Sequence, residues 1–484
     1  MATPAAGPKQ PNLVSVTTIN RDGSRFYLHP ADSKGRFLAA RRICALVLLA
    51  LYILLPWIPV NGHPALFLDV AAGRYHVLGA TFLTQDLWLL FFVLSGFAFG
   101  LIYATALFGR LWCGWACPYT VFLEHVFRRI ERWIEGDAAA RKRLDAAPWG
   151  PAKLAKRAFK HALFFVCCLA VAHIFLAYFV SFPRLYGYVR EAPARHLVAF
   201  GVVAGLTGLL YFCFAWFREQ FCIILCPYGR LQSALTDDDT IVIGYDTRRG
   251  EPRGHKKGTP HGDCVDCRRC VQVCPTGIDI RNGLQLECIG CAACIDACDE
   301  IMAKVGRPRG LVRYDSLNGL EGRRHRYLRP RTVVYALLLL AGAAVLAAFL
   351  GRLRPVHVEV TRMTGMPYFV TDEVVRNQFS IRYLTKRNEP TTFRVAVDDP
   401  PAGLRWTGRD EPIVVPGQGE RQIPLVVTID RARYTGPFPL VFEVTATPGD
   451  TTVVEKVEFL GPNPKLLDPP KAAAGGAPPP GGTP

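Results

Sequence analysis

The chain has 484 residues, of which 50% are hydrophobic and 20% are charged, with a formal net charge of +17. This length and apolar content exclude a small soluble electron carrier and predict several domains, some of them in a membrane. The positive charge does not indicate a nucleic-acid partner, because most of it lies in segments that flank apolar runs and can face anionic lipid.

Five apolar runs are long enough to cross about 30 Å of hydrocarbon. A mostly irregular polar segment, residues 1–42, precedes them and carries no secretory signal. The runs cover residues 43–60, 87–107, 162–182, 197–217 and 332–350. Pro56 and Pro59 interrupt the first run and leave its end ambiguous. The sequence therefore predicts a five-span α-helical membrane protein.

Lysine and arginine alternate between the segments that join these runs. There are seven in residues 1–42, one in 61–86, eleven in 108–160, three in 183–195 and nineteen in 218–331. Since positively charged segments stay on the cytoplasmic side, the N-terminus and the long loop before the last span are predicted to be cytoplasmic. The C-terminus is predicted to lie outside.

The four-span region, residues 43–235, contains the pattern C-x3-C-P twice. Cys113 and Cys117 follow the second span, and Cys222 and Cys226 follow the fourth. In a helix, residues four apart lie on one face, so each pair could present two thiolates in one direction. Because soft thiolates suit Cu(I), zinc or iron-sulfur centres, a copper site, a further iron-containing centre and free structural thiols all remain open.

Residues 236–330 contain eight cysteines in the spacing of a ferredoxin with two 4Fe-4S clusters, C-x2-C-x2-C-x3-C-P followed by C-x2-C-x2-C-x3-C. In such a run three close thiolates bind one cluster and the fourth reaches the other. One predicted set is Cys264, Cys267, Cys270 and Cys298, and the other is Cys288, Cys291, Cys294 and Cys274. Zinc and disulfides fit less well, because each run places four cysteines within eleven residues.

After the fifth span, residues 331–351, the sequence pattern changes from long apolar runs to short strand-like runs. Strand-like runs at 356–360, 379–384, 392–397, 422–429 and 440–447 alternate with turn residues, which predicts an immunoglobulin-like all-β sandwich over residues 352–465. This region has no cysteine, as expected of an outer domain without disulfides. The tail, residues 466–484, is rich in proline, glycine and alanine and is predicted to be disordered.

Several of these motifs together resemble the CcoG family, also called FixG or RdxA. The resemblance is carried by Cys113-Gly-Trp-Ala-Cys117-Pro, by Glu-Arg-Trp-Ile-Glu-Gly-Asp ending at Asp137, by Cys222-x3-Cys226-Pro-Tyr-Gly-Arg, by Gly-Glu-Pro-Arg-Gly ending at Gly254, and by the ferredoxin block. It covers residues 23 to 462 approximately. The chain departs from the family pattern at Tyr119 and before Glu124, and neither change affects a thiol.

The resemblance implies an accessory protein of the bacterial inner membrane for assembly of the cbb-type cytochrome c oxidase, with a periplasmic C-terminal domain. It also implies an oxidoreductase that reduces Cu(II) to Cu(I), with a cytoplasmic electron donor and oxidase assembly factors as partners. Copper would be held, and reduced, at Cys113, Cys117, Cys222 and Cys226. Two other functions remain open. One is electron transfer to a quinone or another reductase complex, and the other is a non-enzymatic copper-binding scaffold for assembly.

Overall fold

The computed structural model describes residues 27–254, 261–407 and 411–466. The chain divides into two compact units, Met1–Phe349 and Leu350–Pro484. Predictions for the first 26 residues and for the tail from residue 467 onward lie outside the described residues.

Five helices of the first unit are long and apolar enough to cross a membrane. They are Arg36–Leu54, Trp88–Phe108, Pro151–Ala177, Leu197–Phe217 and Pro330–Leu350, called spans 1 to 5. In the most apolar 18-residue stretch of each span, at most 28% of the residues are buried inside the protein. Most of these side chains therefore face outward, as lipid contact requires. The prediction of five spans is confirmed. Span 1 begins earlier than its apolar run and ends before Pro56, which cannot donate a helical hydrogen bond.

A small β region joins spans 1 and 2. Strands β1 (Pro59–Val60) and β2 (His63–Pro64) form a hairpin, and β3 (Leu66–Asp69), β4 (Arg74–Val77) and β5 (Ala80–Leu83) form an antiparallel sheet in that order. At the hairpin turn Asn61 and Gly62 both have positive φ, as a two-residue Asn-Gly turn requires. The sequence analysis missed these strands, because none is longer than four residues.

Short helices follow spans 2, 3 and 4 at the membrane boundary. They are Leu111–Trp115, Pro118–Phe122, Arg128–Glu135 and Ala138–Ala146 after span 2, Phe182–Arg190 after span 3, and Pro227–Leu235 after span 4. π-helical turns cover Leu123–Phe127, the end of span 4 at Phe212–Phe217, and Phe221–Leu225. These short pieces carry the C-x3-C-P motifs.

The ferredoxin region packs around a two-stranded antiparallel sheet, β6 (Val242–Tyr245) with β7 (Val312–Asp315), and the helix Ala293–Lys304. One-turn helices lie at Thr247–Gly250, Arg269–Gln272 and Leu317–Leu320. Its buried core includes Ile243, Ile278, Ile280, Ile295, Met302 and Leu311.

The ferredoxin region is anchored to the start of span 1. The Asp296 carboxylate accepts hydrogen bonds from the backbone N–H groups of Phe37 (3.2 Å) and Leu38 (2.7 Å). These donors lie in the first turn of span 1 and have no partner within the helix, so Asp296 acts as an N-cap supplied from another part of the chain. A Cβ at Gly35 would lie 2.2 Å from the Asp296 carboxyl carbon, so only glycine lets the two segments approach this closely.

The second unit is a β-sandwich. Its strands are β8 (Val356–Arg362), β9 (Phe369–Val370), β10 (Val374–Thr385), β11 (Thr391–Asp398), β12 (Leu404–Trp406), β13 (Ile413–Val415), β14 (Glu420–Asp430), β15 (Phe438–Thr447) and β16 (Thr451–Phe459). One sheet has the order β12–β14–β10–β8 with β9 on β10, and the other has β13–β11–β15–β16. Alternate residues point inward, and Phe379, Phe393, Phe442 and Phe459 are at most 1% exposed. The immunoglobulin-like fold is confirmed.

Candidate metal centre

Two neighbouring cavities in the ferredoxin region are lined by the predicted cluster ligands. The first is lined by Cys264, Cys267, Cys270 and Cys298. The second is lined by Cys274, Cys288, Cys291 and Cys294, and Cys270 also reaches its wall. Each cavity therefore presents the four cysteines that the spacing assigns to one cluster, and the shared residue makes the cavities adjacent.

The surroundings of these cysteines fit iron-sulfur clusters. Burial raises the pKa of Cys270 and of Cys288, each to about 12, so the thiolate form needs a compensating cation such as iron. Isoleucine side chains supply much of the apolar lining of the second cavity. Throughout the described residues, no group of three or more His, Cys, Asp or Glu side chains is arranged to hold a single metal ion. The donor set of each cavity, four cysteines in ferredoxin spacing, therefore fits one 4Fe-4S cluster.

The two C-x3-C-P motifs share one backbone design. Cys117 and Cys226 have extended φ, ψ angles of −61°, 122° and −67°, 113°, and each directly precedes a proline that begins a new helix. A residue before proline is driven to extended angles, while proline fits the first helical position. The two cysteines of a pair therefore do not share one continuous helix face, and that part of the sequence interpretation was wrong.

The turn before each motif is also repeated. Gly109 ends span 2 with φ 54°, ψ −125°, and Arg218 ends span 4 with φ 48°, ψ −125°. Each lies four residues before the first cysteine of its motif. Glycine adopts such angles at little cost, whereas an arginine needs surrounding contacts to hold it there. The Glu131 carboxylate provides them by accepting two hydrogen bonds from the buried Arg218 guanidinium, at 2.7 and 3.1 Å.

The four cysteines of the two motifs come together, and we call them the thiol quartet (Cys113, Cys117, Cys222 and Cys226). Burial raises the pKa of Cys113, and the neighbouring Cys117 and Cys226 raise it further, whereas Arg110 lowers it. Burial likewise raises the pKa of Cys222, with added contributions from the other three cysteines. The Gln232 amide donates a hydrogen bond to Cys113 Sγ at 3.4 Å. Cys113 is buried and the other three cysteines are half-buried, so the quartet is a partly buried group of soft donors at the ends of spans 2 and 4.

The thiol quartet directly adjoins the second cluster cavity. A Cβ at Gly114 would lie 2.6 Å from Ile289 O and 2.9 Å from Cys291 N, and one at Gly290 would lie 2.9 Å from Arg110 O. The first motif and the second ferredoxin run therefore pack backbone against backbone. Cys113 and Cys291 belong to the same buried apolar cluster. Only the two glycines make this approach possible.

Three further side chains hold this contact together, and the sequence analysis assigned none of them this role. The Tyr314 hydroxyl donates to Gly290 O at 2.6 Å and accepts from Trp115 Nε1 at 3.1 Å. Arg41 Nε donates to Gly114 O at 2.9 Å. Trp115 lies within the first motif, whereas Arg41 and Tyr314 carry no spacing signal, so the contact that the three side chains make becomes visible only in the fold.

A buried ion-pair network connects the second motif to the ferredoxin region. The Arg128 guanidinium donates to Glu219 Oε2 at 3.2 Å and to Pro275 O at 3.1 Å. Although burial alone would raise it, Arg218, Lys160 and other cations lower the pKa of Glu131 to about 2. A buried carboxylate is retained in its charged form only when cations compensate it in this way.

Three protein-family models match the chain. A 4Fe-4S dicluster domain matches residues 217–317, and a 4Fe-4S binding domain matches residues 89–136, which include Cys113 and Cys117. The immunoglobulin-like fold at the C-terminus of FixG matches residues 346–462. The chain is therefore a multi-pass membrane protein with 4Fe-4S ferredoxin-type regions.

Curated relatives match over most of their length. RdxA of Cereibacter sphaeroides is 37% identical over 415 residues, which cover 81% of this chain and 87% of RdxA. The nitrogen fixation protein FixG of Rhizobium meliloti is 34% identical over 459 residues, 84% of this chain and 87% of FixG. The ferredoxin-type protein NapH of Haemophilus influenzae is 23% identical over 289 residues, 56% of this chain and 89% of NapH.

Proposed function

Because the chain belongs to the family of FixG and RdxA, we propose that this membrane iron-sulfur protein reduces Cu(II) to Cu(I) at the thiol quartet. The Cu(I) would serve the assembly of a cbb-type cytochrome c oxidase. In this proposal the N-terminus and the ferredoxin region are cytoplasmic, where a soluble donor supplies electrons, and the β-sandwich is periplasmic. The lysine and arginine distribution supports that orientation.

The observation that carries the proposal is the backbone contact at Gly114 and Gly290. It brings the thiol quartet against the cavity that Cys274, Cys288, Cys291 and Cys294 would use to hold the second cluster. The other cluster would be held by Cys264, Cys267, Cys270 and Cys298. When bound, 4Fe-4S clusters supply single electrons at these positions.

The residues of the quartet suit copper as the substrate. Reduction consumes one electron per copper ion and no proton. Soft sulfur donors favour Cu(I), so they stabilise the product of this step over the Cu(II) that enters it. Arg110 offsets part of the negative charge that thiolates would bring into this partly buried site, since it lowers the pKa of Cys113.

The test compares cysteine variants of the full-length protein in nanodiscs. The protein is purified anaerobically, reduced with dithionite, desalted and mixed with Cu(II), and Cu(I) is measured with a colorimetric chelator. We expect Cys113→Ser to lose copper reduction. Cys167→Ser is the matched control, because Cys167 is a half-buried membrane cysteine outside the quartet. Equal Cu(I) formation by both variants would refute the reductase proposal.

A second candidate is that the quartet itself holds a further iron-containing centre. It is favoured by the 4Fe-4S binding model, which matches the region of Cys113 and Cys117. Metal analysis separates the two candidates: two clusters give about eight irons per chain and a third gives about twelve. About twelve irons, falling to about eight in Cys113→Ser, would assign iron to the quartet.

A further inference from the structure

A separate polar cavity lies between the chain that leads into span 1 and the helix Arg128–Glu135. Its polar lining consists of Asp32, Ser33, Arg41, Glu124, His125, Arg129 and Arg132. Val273, Pro275 and Ala293 of the ferredoxin region form the opposite wall. No chemistry described so far uses this cavity.

The carboxylates of the cavity already have partners, whereas its cations are in excess. Asp32 pairs with Arg132 Nη1 at 2.5 Å, and Glu124 pairs with Arg128 from outside the lining. Among the described residues, Arg129 makes no hydrogen bond or ion pair, and Arg132 Nε is buried without a hydrogen-bond partner. The cavity therefore offers guanidinium donors that the protein itself does not satisfy.

These cations also repel one another. Burial lowers the pKa of Arg129, and the nearby Arg42 and Arg132 lower it further, whereas Asp32 and Glu124 offset only part of this effect. Burial and Arg41 lower the pKa of His125 to about 4, so this imidazole is neutral at pH 7 and adds hydrogen-bonding capacity without charge. Grouped guanidinium ions of this kind are stabilised when an anion binds between them.

We propose that this cavity binds a phosphate-type oxyanion through Arg129, Arg132 and the Ser33 hydroxyl. The planar guanidinium group presents paired N–H donors that match two oxygens of a phosphate. The phosphate can be the headgroup of an anionic phospholipid or free phosphate. Span 1 begins at Arg36, between Ser33 and Arg41, so the cavity adjoins the N-terminal end of a candidate membrane span, where a lipid headgroup would be within reach.

The site is independent of copper reduction, because no cysteine lines it. It is nevertheless close to the redox centre, since Pro275 lines both this cavity and the second cluster cavity. A variant can therefore lose anion binding and keep copper reduction, so the two proposals can fail independently.

The experiment measures the melting temperature of the full-length protein in neutral nanodiscs, with inorganic phosphate or with chloride at equal ionic strength. A parallel arm adds phosphatidylglycerol to phosphatidylcholine nanodiscs without phosphate. We expect phosphate, phosphatidylglycerol or both to raise the melting temperature, because a ligand that binds only the folded state stabilises it. A response to phosphate alone assigns free phosphate, and a response to the lipid assigns the headgroup.

Arg129→Gln should lower the apparent affinity for the anion about tenfold, since it removes a charged hydrogen-bond donor. Without anion it should leave stability unchanged or raised, because it relieves the repulsion, whereas a structural arginine would lower stability when replaced. Arg143→Gln is the matched control, because it removes the same charge at an exposed site outside the cavity. No anion effect in either arm, or equal effects in the two variants, would overturn the proposal.

Discussion

Replacing Gly114 by alanine tests the contact between the thiol quartet and the second cluster cavity. The new methyl carbon would lie 2.6 Å from Ile289 O and 2.9 Å from the N and Cα atoms of Cys291, whereas ordinary contacts begin near 3.4 Å. The backbones must separate by most of an ångström, and overpacking of this kind costs about 1–3 kcal/mol. We expect lower stability of the ferredoxin region and slower copper reduction, with the iron content unchanged.

The assay follows thermal loss of the visible cluster absorbance, together with the rate of Cu(I) formation after dithionite reduction. Gly96→Ala in span 2 is the matched control, because beyond the adjacent residues and the backbone of its own helix no described atom lies within 4 Å of a Cβ built there. A helical Gly→Ala change without a clash should stabilise by about 0.5–1 kcal/mol. If Gly114→Ala matched Gly96→Ala in both stability and rate, the contact would not couple the two sites.

Three further predictions concern the anchors of the ferredoxin region and the clusters. Asp296→Ala should cost about 1 kcal/mol, because it removes the N-cap of span 1, and thermal unfolding measures this against Glu300→Ala on the exposed side of the same helix. Glu131→Gln should cost about 3–5 kcal/mol, because it leaves Arg218 buried without its partner. Since the folded pKa of Glu131 is about 2 and its ordinary value is 4.5, its stabilisation is complete above pH 4.5 and is lost as the pH falls toward 2. Urea unfolding at several pH values should show that the difference in unfolding free energy between wild type and variant shrinks as the pH falls. Removing iron with a chelator should unfold the ferredoxin region but leave the β-sandwich transition intact, which circular dichroism can follow.

The parts of the molecule that depend on local spacing could be predicted from the sequence. The ferredoxin cysteines lie close together in the chain, so their grouping follows from loop geometry, and the spans follow from uninterrupted apolar runs. The pairing of the two C-x3-C-P motifs was open to inference only because the pattern occurs twice. Even there, the expected continuous helix was wrong, since proline restricts Cys117 and Cys226 to extended angles.

The parts that depend on distant contacts could not be predicted. Gly114 and Gly290 are 176 residues apart, and nothing in either local sequence indicates that their backbones meet. Asp296 reads as one more acidic residue on a helix, although it caps the start of span 1. Arg218 gives no sign of its left-handed backbone angles, because those angles are held by Glu131 from a different segment.

The matching turns at Gly109 and Arg218 have a consequence for the origin of the site. Each belongs to a unit made of a membrane helix, a left-handed residue and a Cys-Pro helix start, and this unit occurs twice in one chain. A protein with one such unit would supply two cysteines of the quartet. Two copies of it would have to associate before four sulfurs could meet, so an ancestral form with a single unit would build this centre only as a homodimer.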